Sequence, residues 1–163
     1  MTLESWSNFF LGELGASAAL AGLLFVSVSV NQARILTLGR MADRGLEALA
    51  MLFLVLVVAS LPLVPGQPLR LLGFEILVAG IATFAGIVPV QRAYLGSTQP
   101  EYLRQSTRMV TINRGAVVLI ALAGGVLACR GDVIGLYFLP PGILLTFVAS
   151  GVNAWVLLIE INR

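Results

Sequence analysis

The stretch Leu46–Val64, LEALAMLFLVLVVASLPLV, decides the fold. Its 19 residues are apolar on every face and almost free of polar groups. About 20 such residues cross the ~30 Å of hydrocarbon in a bilayer as an α-helix. Four further stretches share the character: Phe9–Val30, Leu71–Val90, Gly115–Cys129 and Val133–Ile159. They predict an all-α integral membrane bundle of five transmembrane helices. One domain fills residues 1–163, with spans at about 9–33, 45–64, 69–92, 110–129 and 137–160. The bulk of Leu46–Val64 on every face suits a helix that faces lipid.

Composition excludes a water-soluble fold of this length. Hydrophobic residues are 58% of the chain and charged residues 11%, against about 25% charge in a soluble domain. Every basic residue is Arg, and His is absent. Imidazole acid–base chemistry and imidazole metal ligation are therefore excluded. Schiff-base chemistry has no Lys, and the lone Cys129 makes neither an intramolecular disulfide nor a thiolate cluster. Only an Asp/Glu mechanism is left, and no acidic pair sits in a catalytic motif. The expectation is a non-enzymatic protein with no cofactor, no metal and no nucleic-acid partner, its arginines facing the headgroups of a lipid bilayer.

The arginines sort by loop. Arg34, Arg40 and Arg44 lie between the first two spans, and Arg92, Arg104, Arg108 and Arg114 between the third and fourth. Arg163 ends the chain, so eight fall on one side, against Arg70 and Arg130 on the other. That positive-inside asymmetry predicts an N-terminus outside, a C-terminus in the cytoplasm and a cytoplasmic basic face. Met1–Asn8 has no basic residue ahead of the first apolar run, so that run is expected to stay as a transmembrane helix rather than be cleaved.

Local signals mark the helix ends. Gly39 suits the end of the first helix and Asp43 the cap of the second. Pro68 suits the first position of the third helix and Gly96 its stop. Thr98-Gln99-Pro100-Glu101 reads as a capping box, from which a helix can run through Tyr102–Arg114 into the fourth span. Pro140-Pro141 opens the fifth helix and leaves Val133–Leu139 as an irregular lead-in, while Pro89 should kink the third. Trp6 and Tyr137 fall at the outer interface, Tyr94 and Tyr102 at the inner one. Gly124-Gly125 weakens the fourth span, so four spans with a re-entrant hairpin at 115–139 is the alternative.

Small residues mark expected packing faces: Gly15, Ala18, Ala19 and Gly22 in helix one, and Ala79, Ala82 and Gly86 in helix three. Ala121, Gly124, Gly125 and Ala128 do so in helix four, and Gly142, Thr146, Ser150 and Ala154 in helix five. Helix one also carries a polar line. At about 100° per residue, Glu13, Ser17, Leu20, Leu24, Ser27 and Asn31 fall within roughly 40° of one direction. They are pathway-lining candidates, with Leu20 and Leu24 as a constriction that gates by dewetting. The alternative is that both serines bond their own helix backbone while Asn31 caps or bridges helices. Glu13 and Glu75 should lie at similar depth in the outer leaflet, and an intramembrane carboxylate is a functional candidate by default. Pairing with Arg70 or Arg130, or snorkelling to headgroups, is the other reading. Asn153 is expected to form an interhelical hydrogen bond in the inner tier.

Several segments carry a resemblance: Trp6-Ser-Asn-Phe-Phe10, Gly15-Ala-Ser-Ala-Ala-Leu-Ala-Gly22, Phe25-Val-Ser-Val-Ser-Val-Asn31 with Arg34-Ile-Leu, Arg44-Gly-Leu-Glu47-Ala, and Asn153-Ala-Trp-Val-Leu-Leu-Ile-Glu160. On these the chain resembles an uncharacterised family of small bacterial polytopic inner-membrane proteins, some automatically labelled "modulator of FtsH protease". The resemblance implies at most a regulatory partner in the membrane and brings no catalytic residues. Two functions are expected. The first is a homo-oligomer that forms a small-ion or solute pathway lined by helix one. The second is a non-conducting regulatory or assembly partner of a membrane complex such as a membrane protease, in the bacterial inner (plasma) membrane.

Overall fold

The computed structural model describes residues 3–32, 35 and 41–159. A short 3-10 turn, Leu3–Trp6, leads into α1 (Ser7–Val30), followed by α2 (Met41–Ser60), α3 (Leu69–Ser97), α4 (Pro100–Arg130) and α5 (Leu139–Ile159). No strand occurs among the described residues, and all five helices are long and apolar enough to cross a membrane. Gly39, Arg34, Arg40 and Arg163 lie outside the described residues.

The bundle is up-and-down. Helix α2 packs on α1, α3 and α5, and α4 packs on α3 and α5, so α2 to α5 form a four-helix core with α1 against its α2–α5 side. At one end Trp6 meets Tyr137 edge-on, ring centroids 5.0 Å apart, which places the start of α1 beside the lead-in to α5. Trp6 also stacks edge-on to Phe9 at 5.6 Å, above a fully buried Phe10.

Helix α2 is a lipid-facing wall on one side only. Ala48, Met51, Leu52, Leu54, Val55, Val58 and Ala59 are buried against the other helices, while Leu46, Phe53 and Val57 form an exposed apolar stripe. A helix apolar all round suits either a protein core or lipid, because both present the same hydrocarbon surface. Here the two faces divide, one inward and one outward.

Helix α4 runs unbroken through Gly124-Gly125 to Arg130, which rules out the re-entrant hairpin. The apparent weakness is a packing device. A Cβ on Gly124 would lie 2.4 Å from the Leu77 backbone nitrogen, and one on Gly73 would lie 2.2 Å from that of Ala128. The two glycines let α3 and α4 touch backbone to backbone, and Gly80 rests on Ala121 in the same seam. The inward face of α3 is thus Leu72, Gly73, Ile76, Gly80, Ile87, Gln91 and Tyr94, whereas Ala82 and Gly86 are exposed. In α5, Gly142 packs on Ile120 and Ala116, with Thr146 and Ser150 buried below it. The small face of α1 differs. Gly15, Ala18, Ala19 and Gly22 are exposed, and both glycines look into open space.

Helix ends follow local chemistry with four corrections, the first two being that Asp43 lies inside the first turn of α2 and that Pro68 is the cap residue of α3, which begins at Leu69. Gly131 takes a left-handed φ of 68° and returns its N–H to Leu127 O at 2.8 Å, closing α4. Asp132 Oδ1 then accepts from Ile134 N at 2.8 Å and starts the 3-10 segment Val133–Phe138, the expected lead-in to α5. Pro89 is accommodated inside α3, which passes Gly96 and ends at Ser97. No capping box forms at Thr98: its hydroxyl donates back to Tyr94 O at 2.7 Å, closing α3 instead. Gln99 is the cap residue of α4 and makes no side-chain cap bond.

Length separates the two ends of the bundle. At 1.5 Å per residue the 29 residues of α3 and 31 of α4 extend about 43 and 46 Å. That exceeds the ~30 Å of hydrocarbon by more than a tilt of ~20° absorbs. Arg70 and Arg130 mark the level where both helices meet the Trp6 end. The excess therefore projects at the opposite end as a helical hairpin around residues 97–100. There Ser106 and Val110 face inward, while Tyr102, Leu103, Arg104 and Arg108 are exposed.

Candidate functional site

Where the hairpin enters the bundle, α2 presents Glu47, only 2% exposed. Three donors converge on its carboxylate. Gln91 Nε2 donates to Oε1 at 2.6 Å, Asn113 Nδ2 donates to Oε1 at 2.7 Å, and Tyr94 OH donates to Oε2 at 2.9 Å. Glu47 thus ties α2 to both long helices at one point. Gln91 Oε1 in turn accepts from Arg114 Nε at 2.7 Å, which fixes the amide orientation between a cationic donor and an anionic acceptor. The Arg44 guanidinium lies 5.8 Å from the Tyr94 ring centroid, within cation–π range.

All three bonds run toward Glu47, the arrangement an ionised carboxylate demands because it only accepts. A buried charge is tolerated when it is paired and its lone pairs are met. The donors meet Glu47, and Arg44 and Arg114 supply positive charge one contact away. Asn113 Oδ1 is left buried with no hydrogen-bond partner, the consequence of turning its amide N–H toward the carboxylate. Charge-assisted bonds are about twice as strong as neutral ones, which offsets that loss. Gln91 stands 22 residues beyond Leu69 and Asn113 stands 17 before Arg130. Those steps put the cluster roughly 26–33 Å from the Arg70–Arg130 level, at the far edge of the hydrocarbon.

The sequence reading missed this cluster. It gave Glu47 no role and set Tyr94 in an interfacial belt, yet Tyr94 is 4% exposed and turned inward. The available signal was that Glu47, Gln91, Tyr94, Asn113 and Arg114 all fall near the same end of three apolar helices. Polar groups at equal depth must find one another where no water serves them.

The polar line of α1 lies in the seam with its own bundle. Ser17, Leu24 and Ser27 are buried, and Glu13, Leu20 and Asn31 are half-buried. Ser17 donates to Leu14 O at 3.1 Å, Ser27 to Leu23 O at 2.7 Å, and Asn31 Nδ2 to Ser27 O at 3.0 Å. Each bond stays within α1. Leu24 packs in a cluster with Ile35, Ala48 and Leu52. The constriction residue Leu24 is therefore core, and α1 turns its small residues outward together with Leu11, Leu23, Phe25 and Val26.

Glu75 is half-buried on the flank of α3 and accepts from Gln67 Nε2, rather than from Arg70 or Arg130; Gln67 Oε1 is buried without a partner. Asn153 is buried in α5. Of the basic face, Arg44 and Arg114 are half-buried at the Glu47 cluster, while Arg92, Arg104 and Arg108 are exposed. Among the described residues no group of three or more His, Cys, Asp and Glu side chains gathers to hold a metal. No family model matches the chain, and no curated protein or solved structure is significantly similar to it.

Proposed function

We propose that this is a non-catalytic, non-conducting membrane protein that acts by contact. In this reading the α3–α4 hairpin is the surface it offers to another membrane complex, such as a membrane protease. The observation that carries the reading is the Glu47 cluster. It clamps α2, α3 and α4 together where the hairpin leaves the hydrocarbon, so Tyr102, Leu103, Arg104 and Arg108 stand on a stiff platform. A preformed contact surface loses less entropy on binding than a mobile loop does. In the proposed topology, N-terminus outside and C-terminus in the cytoplasm of a bacterial inner membrane, this surface is cytoplasmic and basic.

The burial of Ser17, Leu24 and Ser27 supports the non-conducting reading over a pathway between subunits, because these groups are spent inside one chain. A homo-oligomer fits the reading through the open Gly15–Gly22 face of α1. Photo-crosslinkers at Leu103 and Arg108 in native membranes are expected to capture one dominant partner, and purified protein in liposomes is expected to pass no ions. Capture of the chain by itself alone, together with ion flux, would overturn the proposal in favour of a pathway.

A further inference from the structure

At the Trp6 end of the bundle, the α3–α4 seam opens outward into an apolar groove of about 660 Å³. Ile81, Phe84 and Ala85 line it from α3, and Val118, Leu122 and Gly125 from α4. Cys129 and Arg130 line it at the end of α4. The groove follows from the packing of the helices. Gly73, Gly80 and Gly124 draw the two backbones together, and the larger side chains on either side stand up as walls. Gly125 has open space above it.

We propose that this groove is a phospholipid site: one acyl chain lies along it and the lipid phosphate rests on Arg130, with Arg70 beside it. Shape suits the occupant. The groove runs from Val117 to Arg130, about 20 Å at 1.5 Å per residue. A hydrocarbon chain is about 4 Å wide, the contact distance of its carbon atoms, so one extended chain fits along it.

Charge selects the headgroup. Arg130 is exposed as the last residue of α4, and the Arg70 side chain lies over Gly131, with Nε 3.1 Å from where a Cβ would stand. Among the described residues neither guanidinium makes a hydrogen bond or ion pair. The nearby carboxylates are engaged elsewhere, Asp132 by Ile134 N–H and Glu75 by Gln67. Two uncommitted guanidiniums at headgroup depth present the fork that a phosphate binds.

Cys129 is the sole cysteine, is exposed and lines the groove beside Arg130, so its reactivity reports occupancy without mutation. The test is the rate of Cys129 alkylation by a maleimide, with the full chain in maltoside micelles, as phosphatidylglycerol is titrated. Saturable protection of at least fivefold is expected, with one lipid retained per chain in native mass spectrometry. Arg130→Gln should weaken the apparent affinity about tenfold. Gly125→Leu should abolish protection while circular dichroism stays unchanged, and Ala85→Leu repeats the block from α3. Inorganic phosphate and dodecanol should each protect less than twofold. Protection by phosphate alone would overturn the groove, and equal protection by dodecanol would overturn the phosphate site. Protection that follows protein concentration instead of lipid would overturn both in favour of a second copy.

Discussion

Replacing Glu47 removes the acceptor of three buried donors at once, so Glu47→Ala, Glu47→Leu and Glu47→Gln form a graded series. Bonds from Gln91, Asn113 and Tyr94 measure 2.6, 2.7 and 2.9 Å. A hydrogen bond to a charged group contributes about 1.5–3 kcal/mol, and a buried donor left unmet costs about 1–3 kcal/mol. These terms overlap, so the sum is not the expectation. Removing one partner of a buried charged network costs about 3–5 kcal/mol, and that is the loss expected for Glu47→Ala. Leucine restores volume but no acceptor, so Glu47→Leu should lose nearly as much. Glutamine keeps one acceptor oxygen for the two amides while its own amide forces the Tyr94 hydroxyl to turn, for a loss of about 1–2 kcal/mol. Thermal unfolding in maltoside micelles, followed by circular dichroism, reads the series. At about 2–4 °C per kcal/mol for a chain of this size, the alanine variant should melt roughly 6–20 °C lower. The reasoning is refuted if Glu47→Leu lies within ~0.5 kcal/mol of the wild type, since the donors would then need no acceptor.

Gly73→Val and Gly124→Val should each prevent α3 and α4 from closing and cost more than ~3 kcal/mol, because backbone stands where the new Cβ must go. Gly86→Ala, which meets nothing within 4 Å, should instead gain up to ~1 kcal/mol from helix propensity; equal effects in the same melts would contradict the seam. Tyr137→Ala should cost about 0.5–1.5 kcal/mol through the edge-on contact with Trp6, and combining it with Trp6→Ala in a double-mutant cycle isolates that coupling. Leu24→Ser should destabilise the α1–α2 packing yet leave liposome ion flux at background; a rise in flux would revive the pathway reading.

The architecture was legible because helix length and hydropathy are set by the bilayer, whatever the helices pack against. Neighbours were less legible. Leu46–Val64 reads the same whether it faces lipid or lies at the centre. Its burial depends on a three-dimensional fact, that Glu47 finds Gln91, Tyr94 and Asn113 on two other helices. Small residues misled in a similar way. The stripe on α5 packs inside, that on α1 stays open, and the deciding contacts on α3 use Gly73 and Gly80 instead of Ala82 and Gly86. The polar line on α1 turns toward the bundle, with Ser17, Leu24 and Ser27 buried. A helical wheel gives direction around an axis, however, and does not say whether that direction meets a pore or a core.

The most direct test couples the clamp to the surface it holds. A photo-crosslinker at Leu103 is placed in the wild type and in Glu47→Gln, with both chains expressed to equal level in native membranes. The wild type should capture one dominant heterologous partner, and Glu47→Gln should reduce that adduct severalfold while remaining folded by circular dichroism. An adduct formed only with a second copy of the chain, or a partner adduct of unchanged yield in Glu47→Gln, would contradict a hairpin held in place by Glu47 for contact.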